Sequence, residues 1–122
     1  MADLVIKQDV RDSAVVVAVA GDIDTATVDA LTTNLDAGLS AASEQSHRLL
    51  VVDLDGVTYF GSAGLNAVLG CYEAGAAAGV AVRLVTNAAE VLRPLEVTRL
   101  DTVLRPYPTL PDALARPADD GG

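Results

Sequence analysis

The sequence predicts one α/β domain built on a mostly parallel sheet, with an antiparallel strand at its N-terminal end. Short apolar runs alternate with segments in which apolar residues recur every three or four positions, as in strands joined by helices. The length of 122 residues fits one domain, and 51% hydrophobic with 3% aromatic residues favours close packing of helices on a sheet. The expected element order is β-β-α-β-α-β-α-β-α, with right-handed crossovers between parallel strands.

The chain opens with two predicted strands, residues 4–10 and residues 14–20. Residues 11–13 between them form a short polar turn, which predicts an antiparallel hairpin. The second run is apolar throughout, and this pattern predicts a strand that is covered on both faces.

The first helix is expected over residues 25–42. Apolar residues recur there at helical spacing: Val28, Leu31, Leu35 and Leu39. Asp24 precedes them and is a candidate N-cap, because its carboxylate can accept hydrogen bonds from the N–H groups of the next turn. A polar connection over residues 43–47 and a buried strand over residues 49–54 follow.

A second helix is predicted to begin near Ser62 and to end near Gly79. Its apolar stripe consists of Leu65, Val68, Leu69, Tyr72 and Ala76. A strand is expected over residues 80–85, then a short helix capped by Asn87, and then a brief edge strand over residues 102–104. A last helical turn follows, so that the domain covers residues 1–116 and leaves residues 117–122 as a frayed tail.

The charge and composition exclude several classes of function. The net charge of −9 argues against binding to nucleic acids or to anionic lipid, and it favours a basic partner surface. One cysteine allows no disulfide framework, and Cys71 is expected to act as a small buried hydrophobe. The sequence predicts neither a signal peptide nor a span for direct membrane insertion, so we expect a cytoplasmic protein.

Two loops are expected at the carboxyl edge of the sheet, over residues 21–25 and 57–64. Ser62 lies in the second loop, where a helix begins, between Gly61 and Gly64. A serine there can serve only as an N-cap, or it can carry a phosphate that the positive end of the helix tolerates. Both interpretations are compatible with the residues alone.

The other polar residues give weaker signals. Asp22 and Asp24 can act as a general base, as Mg²⁺ ligands, or as a cap with a solvated charge. His47 is the one histidine and is expected at the opposite edge of the sheet from Ser62, which disfavours a zinc site and a Ser–His–Asp triad. The sequence therefore predicts no cofactor and no enzyme, although phosphoryl chemistry at the two aspartates and Ser62 is the third alternative.

Three motifs resemble a known family. Residues 21–24, Gly-Asp-Ile-Asp, resemble the Gly-Glu-Leu-Asp signature of the STAS domain of bacterial anti-sigma-factor antagonists. Residues 53–60 resemble the Asp-Leu-Ser-x-Val-x-Phe stretch of that family, and residues 62–65 resemble its Ser-Ser-Gly-Leu, whose first serine is the phosphoacceptor. The resemblance covers residues 4–115.

The resemblance implies partner switching in bacterial stress responses. An unphosphorylated antagonist binds an anti-sigma factor, often a serine kinase, and frees a sigma factor. The kinase uses ATP and Mg²⁺ to phosphorylate the loop serine, which releases the antagonist, and a phosphatase resets it. Carried over, Ser62 is the phosphoacceptor, and the partner-binding residues are Asp22, Asp24, Gly61, Ser62, Ala63, Gly64 and Leu65.

The chain departs from the family pattern at two positions. Gly61 stands where the family commonly has Asp, and Ala63 stands in place of the second serine. These departures bear on kinase efficiency and on the choice of partner. The alternative within the same fold is an interaction module that phosphorylation does not control: a stressosome-type scaffold, a nucleotide-responsive module, or a soluble subunit of a lipid transport system.

Overall fold

The computed structural model describes residues 4–115. Over this range the chain forms β1 Val5–Val10, β2 Val15–Ile23, α1 Val28–Ser43, β3 Leu49–Phe60, α2 Ser62–Ala78, β4 Ala81–Val85, α3 Ala89–Val97, α4 Asp101–Leu104 and α5 Leu110–Ala115. The predicted tail over residues 117–122 lies outside the described residues. No helix within residues 4–115 combines the length and the apolar composition that crossing a membrane requires.

The four strands form one sheet in the order β1-β2-β3-β4. β1 is antiparallel to β2, whereas β2, β3 and β4 are mutually parallel. Val10 pairs with Val15 across the predicted hairpin, and the Arg11 N–H closes the turn on the Ala14 carbonyl at 2.8 Å. The predicted fold class is therefore confirmed.

The main core lies between the sheet and the two long helices. Alternate residues of β2, Val15 and Val17, are buried there with Leu31 and Leu35 of α1 and Val68 of α2. Because neighbouring residues of a strand point to opposite faces, the intervening residues of β2 must be covered from the other side. This arrangement explains why the second strand is apolar throughout.

α5 covers part of the opposite face of the sheet. Ala113 of α5 packs in a smaller core with Val16, Val51 and Val85. Arg83 on β4 is buried on this side, and its Nη1 donates to the Ala113 carbonyl oxygen at 2.7 Å. A hydrogen-bonded arginine thus fixes the C-terminal helix to the sheet.

β2 and β3 extend beyond their predicted ends at residues 20 and 54. They remain paired as far as Ile23 and Phe60, and the register between them shifts at two points. Gly21 adopts φ 113°, a conformation that glycine accepts and other residues rarely do, and the strand continues through it. The two expected loops are therefore partly strand, over residues 21–23 and 57–60.

The edge strand predicted over residues 102–104 is wrong, because these residues belong to α4. The N–H groups of Val103 and Leu104 both bond to the Leu100 carbonyl, at 3.0 and 2.8 Å, which closes a helical turn. The last β position in the predicted order is instead a single parallel bridge between Val85 and Tyr107. Tyr107 donates its N–H to the Leu84 carbonyl at 2.8 Å.

Candidate functional site

The candidate site lies where β2 and β3 leave the sheet side by side. Ile23 is opposite Phe60, and the Gly61 N–H donates to the Ile23 carbonyl at 3.1 Å. The chain then enters α2 directly. The two segments that were expected to meet at the carboxyl edge therefore do meet, and a hydrogen bond between their backbones joins them.

Ser62 is the first residue of α2. The N-cap is Gly61, in extended conformation, so no side chain caps this helix. The Ser62 side chain is exposed, and its hydroxyl makes no hydrogen bond to any residue between Leu4 and Ala115. The interpretation of Ser62 as only an N-cap is therefore wrong, because a capping serine would place its oxygen on an N–H of the first turn.

A side-chain hydrogen bond joins the two strands beside this serine. The Thr58 hydroxyl donates to Oδ1 of Asp22 at 2.6 Å. One of the two register shifts between β2 and β3 lies here, between Gly21 and Asp22, and a bulge of this kind changes the direction of the side chains around it. Asp22 thus stabilises the end of the sheet.

Asp24 was expected to be the N-cap of the first helix, but the N-cap of α1 is Thr27, and the Asp24 carboxylate instead caps the turn before the helix. Its Oδ1 accepts hydrogen bonds from the N–H groups of Ala26 and Thr27, at 2.9 and 3.1 Å. Thr27 reciprocates, because its hydroxyl oxygen accepts the Asp24 N–H at 3.0 Å. This exchange resembles a capping box, and α1 itself begins later than expected, at Val28.

The residues around Ser62 pack closely. A Cβ atom at Gly64 would stand 2.5 Å from Cγ2 of Ile23 and 3.1 Å from the Phe60 ring, so only glycine fits there without movement. Leu65 is buried in the main core, whereas Ala63 is half-buried. Gly64 and Leu65 were expected to bind a partner, but both are buried and pack against the core.

A third segment, which the sequence did not associate with this site, reaches the same edge. The Asn87 N–H donates to Oδ1 of Asp55 at 2.8 Å, which ties the β4–α3 connection to β3. Asn87 therefore does not cap α3, whose N-cap is Ala88. Thr86 accepts the Ala88 N–H instead, at 3.1 Å. The sequence contains no local signal for this contact, because Asp55 and Asn87 are 32 residues apart in the chain.

Between Leu4 and Ala115, the one histidine of the chain does not lie beside Ser62. His47 is exposed ahead of β3, whereas Ser62 follows that strand, so the two lie at opposite ends of it. Within residues 4–115, no group of three or more His, Cys, Asp or Glu side chains is placed to hold a metal ion. Cys71 is buried in α2, and burial, with a smaller contribution from the charge of Asp36, raises the pKa of its thiol to about 12.

The sequence matches the family model described as the STAS domain over residues 5–113. This span takes in every strand and ends within α5. A search of curated proteins returned no match.

The solved structures that are similar to the chain include the following three. A crystal structure of an anti-sigma factor antagonist from Mycobacterium paratuberculosis has 31% identity and a TM-score of 0.80, over 93% of this chain and 92% of that one. A STAS-domain antagonist protein from Planctomyces limnophilus has 20% identity and a TM-score of 0.72, over 90% and 94% of the two chains. Phosphorylated SpoIIAA from Bacillus, a cell fate determinant, has 16% identity and a TM-score of 0.67, over 92% and 98%. The last two likenesses establish the fold alone.

Proposed function

Because the chain belongs to the STAS-domain family of anti-sigma-factor antagonists, we propose that it binds an anti-sigma factor and so frees a sigma factor for transcription. The partner is a serine kinase that phosphorylates Ser62, and the modified protein is released until a phosphatase resets it. These partners act in the cytoplasm. The chain contributes a binding surface and a phosphoacceptor and performs no catalysis itself.

The observation that carries this proposal is that the Ser62 hydroxyl is exposed and not hydrogen-bonded within residues 4–115. It lies at the start of a 17-residue helix. A kinase can therefore reach it without breaking an internal contact. The N–H groups of the first helical turn lack partners within their own helix, and together with the helix dipole they tolerate a phosphate.

The sign of the switch follows from charge. A phosphate adds about −1.5 to −2 charges at pH 7. The helix N-terminus stabilises a nearby negative charge by roughly 0.3–2 kcal/mol. At a partner interface, an unpaired or like charge costs several kcal/mol, so the loss of binding outweighs the local gain. Phosphorylation should thus leave the fold intact and abolish the complex.

The test is an intact-mass measurement after incubation with ATP, Mg²⁺ and each candidate anti-sigma kinase encoded in the same genome. We expect one added phosphate on the wild type and none on Ser62→Ala. Ser46→Ala is the matched control, because Ser46 is exposed in the connection ahead of β3, at the opposite end of that strand from Ser62, and should leave phosphorylation unchanged.

The same experiment can also contradict the proposal. If none of the candidate kinases modifies the wild type, Ser62 is not the switch. The protein would then be a STAS interaction module of the scaffold, nucleotide-responsive or lipid-transport kind. A nucleotide titration that saturates, or co-purification with a membrane ATPase, would then separate these roles.

A further inference from the structure

A groove lies beside the Ser62 segment, between the end of β3 and α3. Tyr59 and Phe60 form one wall, and the α3 residues Ala89, Glu90, Arg93, Pro94 and Val97 form the other. Its volume is about 440 Å³. The sequence did not predict it, because its walls are about 30 residues apart in the chain.

Two of the groove residues are unusual in being both apolar and exposed. Tyr59 is 53% exposed and Val97 is 76% exposed, whereas most of the large apolar side chains between Leu4 and Ala115 are buried. An apolar groove with exposed walls is typical of a surface that another molecule covers. Tyr59 and Arg93 are also of the residue types that contribute most to protein–protein binding.

The groove is continuous with the phosphoacceptor. The Tyr59 ring lies against Gly61, so that a Cβ atom at Gly61 would stand 3.0 Å from Cε2 of the ring. Phe60 forms part of the groove and also packs under Gly64. The Tyr59 ring therefore occupies the space that a side chain at residue 61, next to Ser62, would need. In this chain an aromatic ring connects the serine to the groove.

We propose that the groove receives a large apolar side chain from the anti-sigma factor, and that basic residues surround this side chain on the partner's surface. This inference rests on the proposed function, which it deepens by naming the chemistry of the partner. Acidic residues lie around the groove: Asp22 is the strand partner of Tyr59, Asp55 holds the connection that leads into α3, and Glu90 lies in the wall with Arg93. These carboxylates outnumber the one arginine among the lining residues, which favours a basic partner.

Other occupants fit the groove less well. A small ligand would meet few polar groups in the walls and would leave much of Tyr59 and Val97 in water. A second copy of the chain would bring together two molecules that each carry a net charge of −9. A protein surface covers both exposed side chains and is attracted by the acidic edge.

The experiment measures binding of the unphosphorylated protein to each candidate anti-sigma factor encoded in the same genome, by titration calorimetry. The variants are Tyr59→Ser and Val97→Ser. The matched control is Val10→Ser, because Val10 is 60% exposed on β1 at the opposite edge of the sheet. We expect Tyr59→Ser to weaken binding about tenfold or more, Val97→Ser to weaken it to a smaller extent, and the control to bind like the wild type.

The outcomes separate the inference from the function on which it rests. If Ser62 phosphorylation abolishes binding and both groove variants bind like the wild type, the groove inference is overturned and the proposed function stands. If the wild type binds no candidate, the proposed function is overturned and the inference falls with it. A wild-type dimer in sedimentation that the groove variants abolish would make a second copy the occupant, which also overturns the inference.

Discussion

The first turn of α2 approaches the sheet so closely that the side chain at one position decides how well it packs. Gly64 faces Ile23 and Phe60, and its missing Cβ leaves just enough room for both. Gly70, two turns further along the same helix, faces open space. The two glycines therefore differ in what a methyl group would meet, although both lie in regular helix.

Gly64→Ala should destabilise the protein, and Gly70→Ala should stabilise it. The methyl group at residue 64 overpacks a buried contact, which typically costs about 1–3 kcal/mol. At residue 70 alanine improves helix propensity without a clash, which contributes about 0.4–1 kcal/mol. Urea denaturation of both variants beside the wild type measures the two changes. A lower midpoint for Gly70→Ala, or an unchanged one for Gly64→Ala, would contradict this packing.

At the scale of elements, the entry into α1 depends on one reciprocal pair. Asp24 accepts two backbone N–H groups, and Thr27 both accepts the Asp24 N–H and donates its hydroxyl to the Asp22 carbonyl at 2.8 Å. These bonds satisfy donors that the first turn would otherwise leave without partners. They also hold the end of β2 beside the turn that leads into α1, and the Ile23 carbonyl at that end accepts the N–H of Gly61, the residue before Ser62.

Asp24→Ala should lower the free energy of unfolding by about 0.5–2 kcal/mol, because it removes the acceptor of both N–H groups. Asp24→Asn should retain most of that stability, since the amide oxygen can accept the same bonds at a cost of a few tenths of a kcal/mol. Thermal unfolding followed by circular dichroism compares the three proteins. Equal losses for both variants would mean that the charge of Asp24, and not its cap, stabilises the turn.

The order of elements was predictable because most helices and strands are bounded by residues that are typical of a turn or a helix end. The hairpin has a polar turn between two apolar runs, and α2 ends at Gly79, which adopts φ 76° as a C-cap glycine does. The continuation of β2 and β3 was not predictable, because Gly21 and the aspartates beside it are typical of a turn. Pairing between the two strands overrides that local preference.

The site was predictable only where its chemistry is contiguous in sequence. Ser62 and the two aspartates of residues 21–24 were identified from motifs. The hydrogen bond between Asp55 and Asn87 joins β3 to the connection between β4 and α3, and the sequence carries no local sign of it. The groove likewise depends on where α3 packs against β3, which is tertiary information.

At the scale of the whole molecule, charge is the dominant long-range feature. The net charge is −9, and between described residues one ion pair is present, Arg11 with Asp9 at 2.8 Å. Both of its side chains are largely exposed, so the pair contributes little to stability. From the net charge, we expect repulsion among the carboxylates to outweigh the attraction that salt would weaken.

Moderate salt should raise the melting temperature. Increasing ionic strength from about 0.01 M to about 0.1 M shortens the Debye length from about 30 Å to about 10 Å and screens the repulsion between distant carboxylates. We expect a rise of a few degrees in a thermal scan with sodium chloride. Sucrose at equal osmolality is the control, since it does not screen charge. A melting temperature that falls with salt would indicate that attractive pairs dominate.

The hairpin turn over residues 11–13 is a suitable site for attaching a label. It is exposed, it is closed by the Arg11–Ala14 hydrogen bond, and it lies at the end of the sheet opposite Ser62. Cys71, the native thiol, is buried with a pKa near 12, so it stays protonated and slow to react at neutral pH. A cysteine introduced by Ser13→Cys would accordingly take a fluorophore or a surface linker selectively, and a protein attached there would present the Ser62 edge unobstructed to its partner.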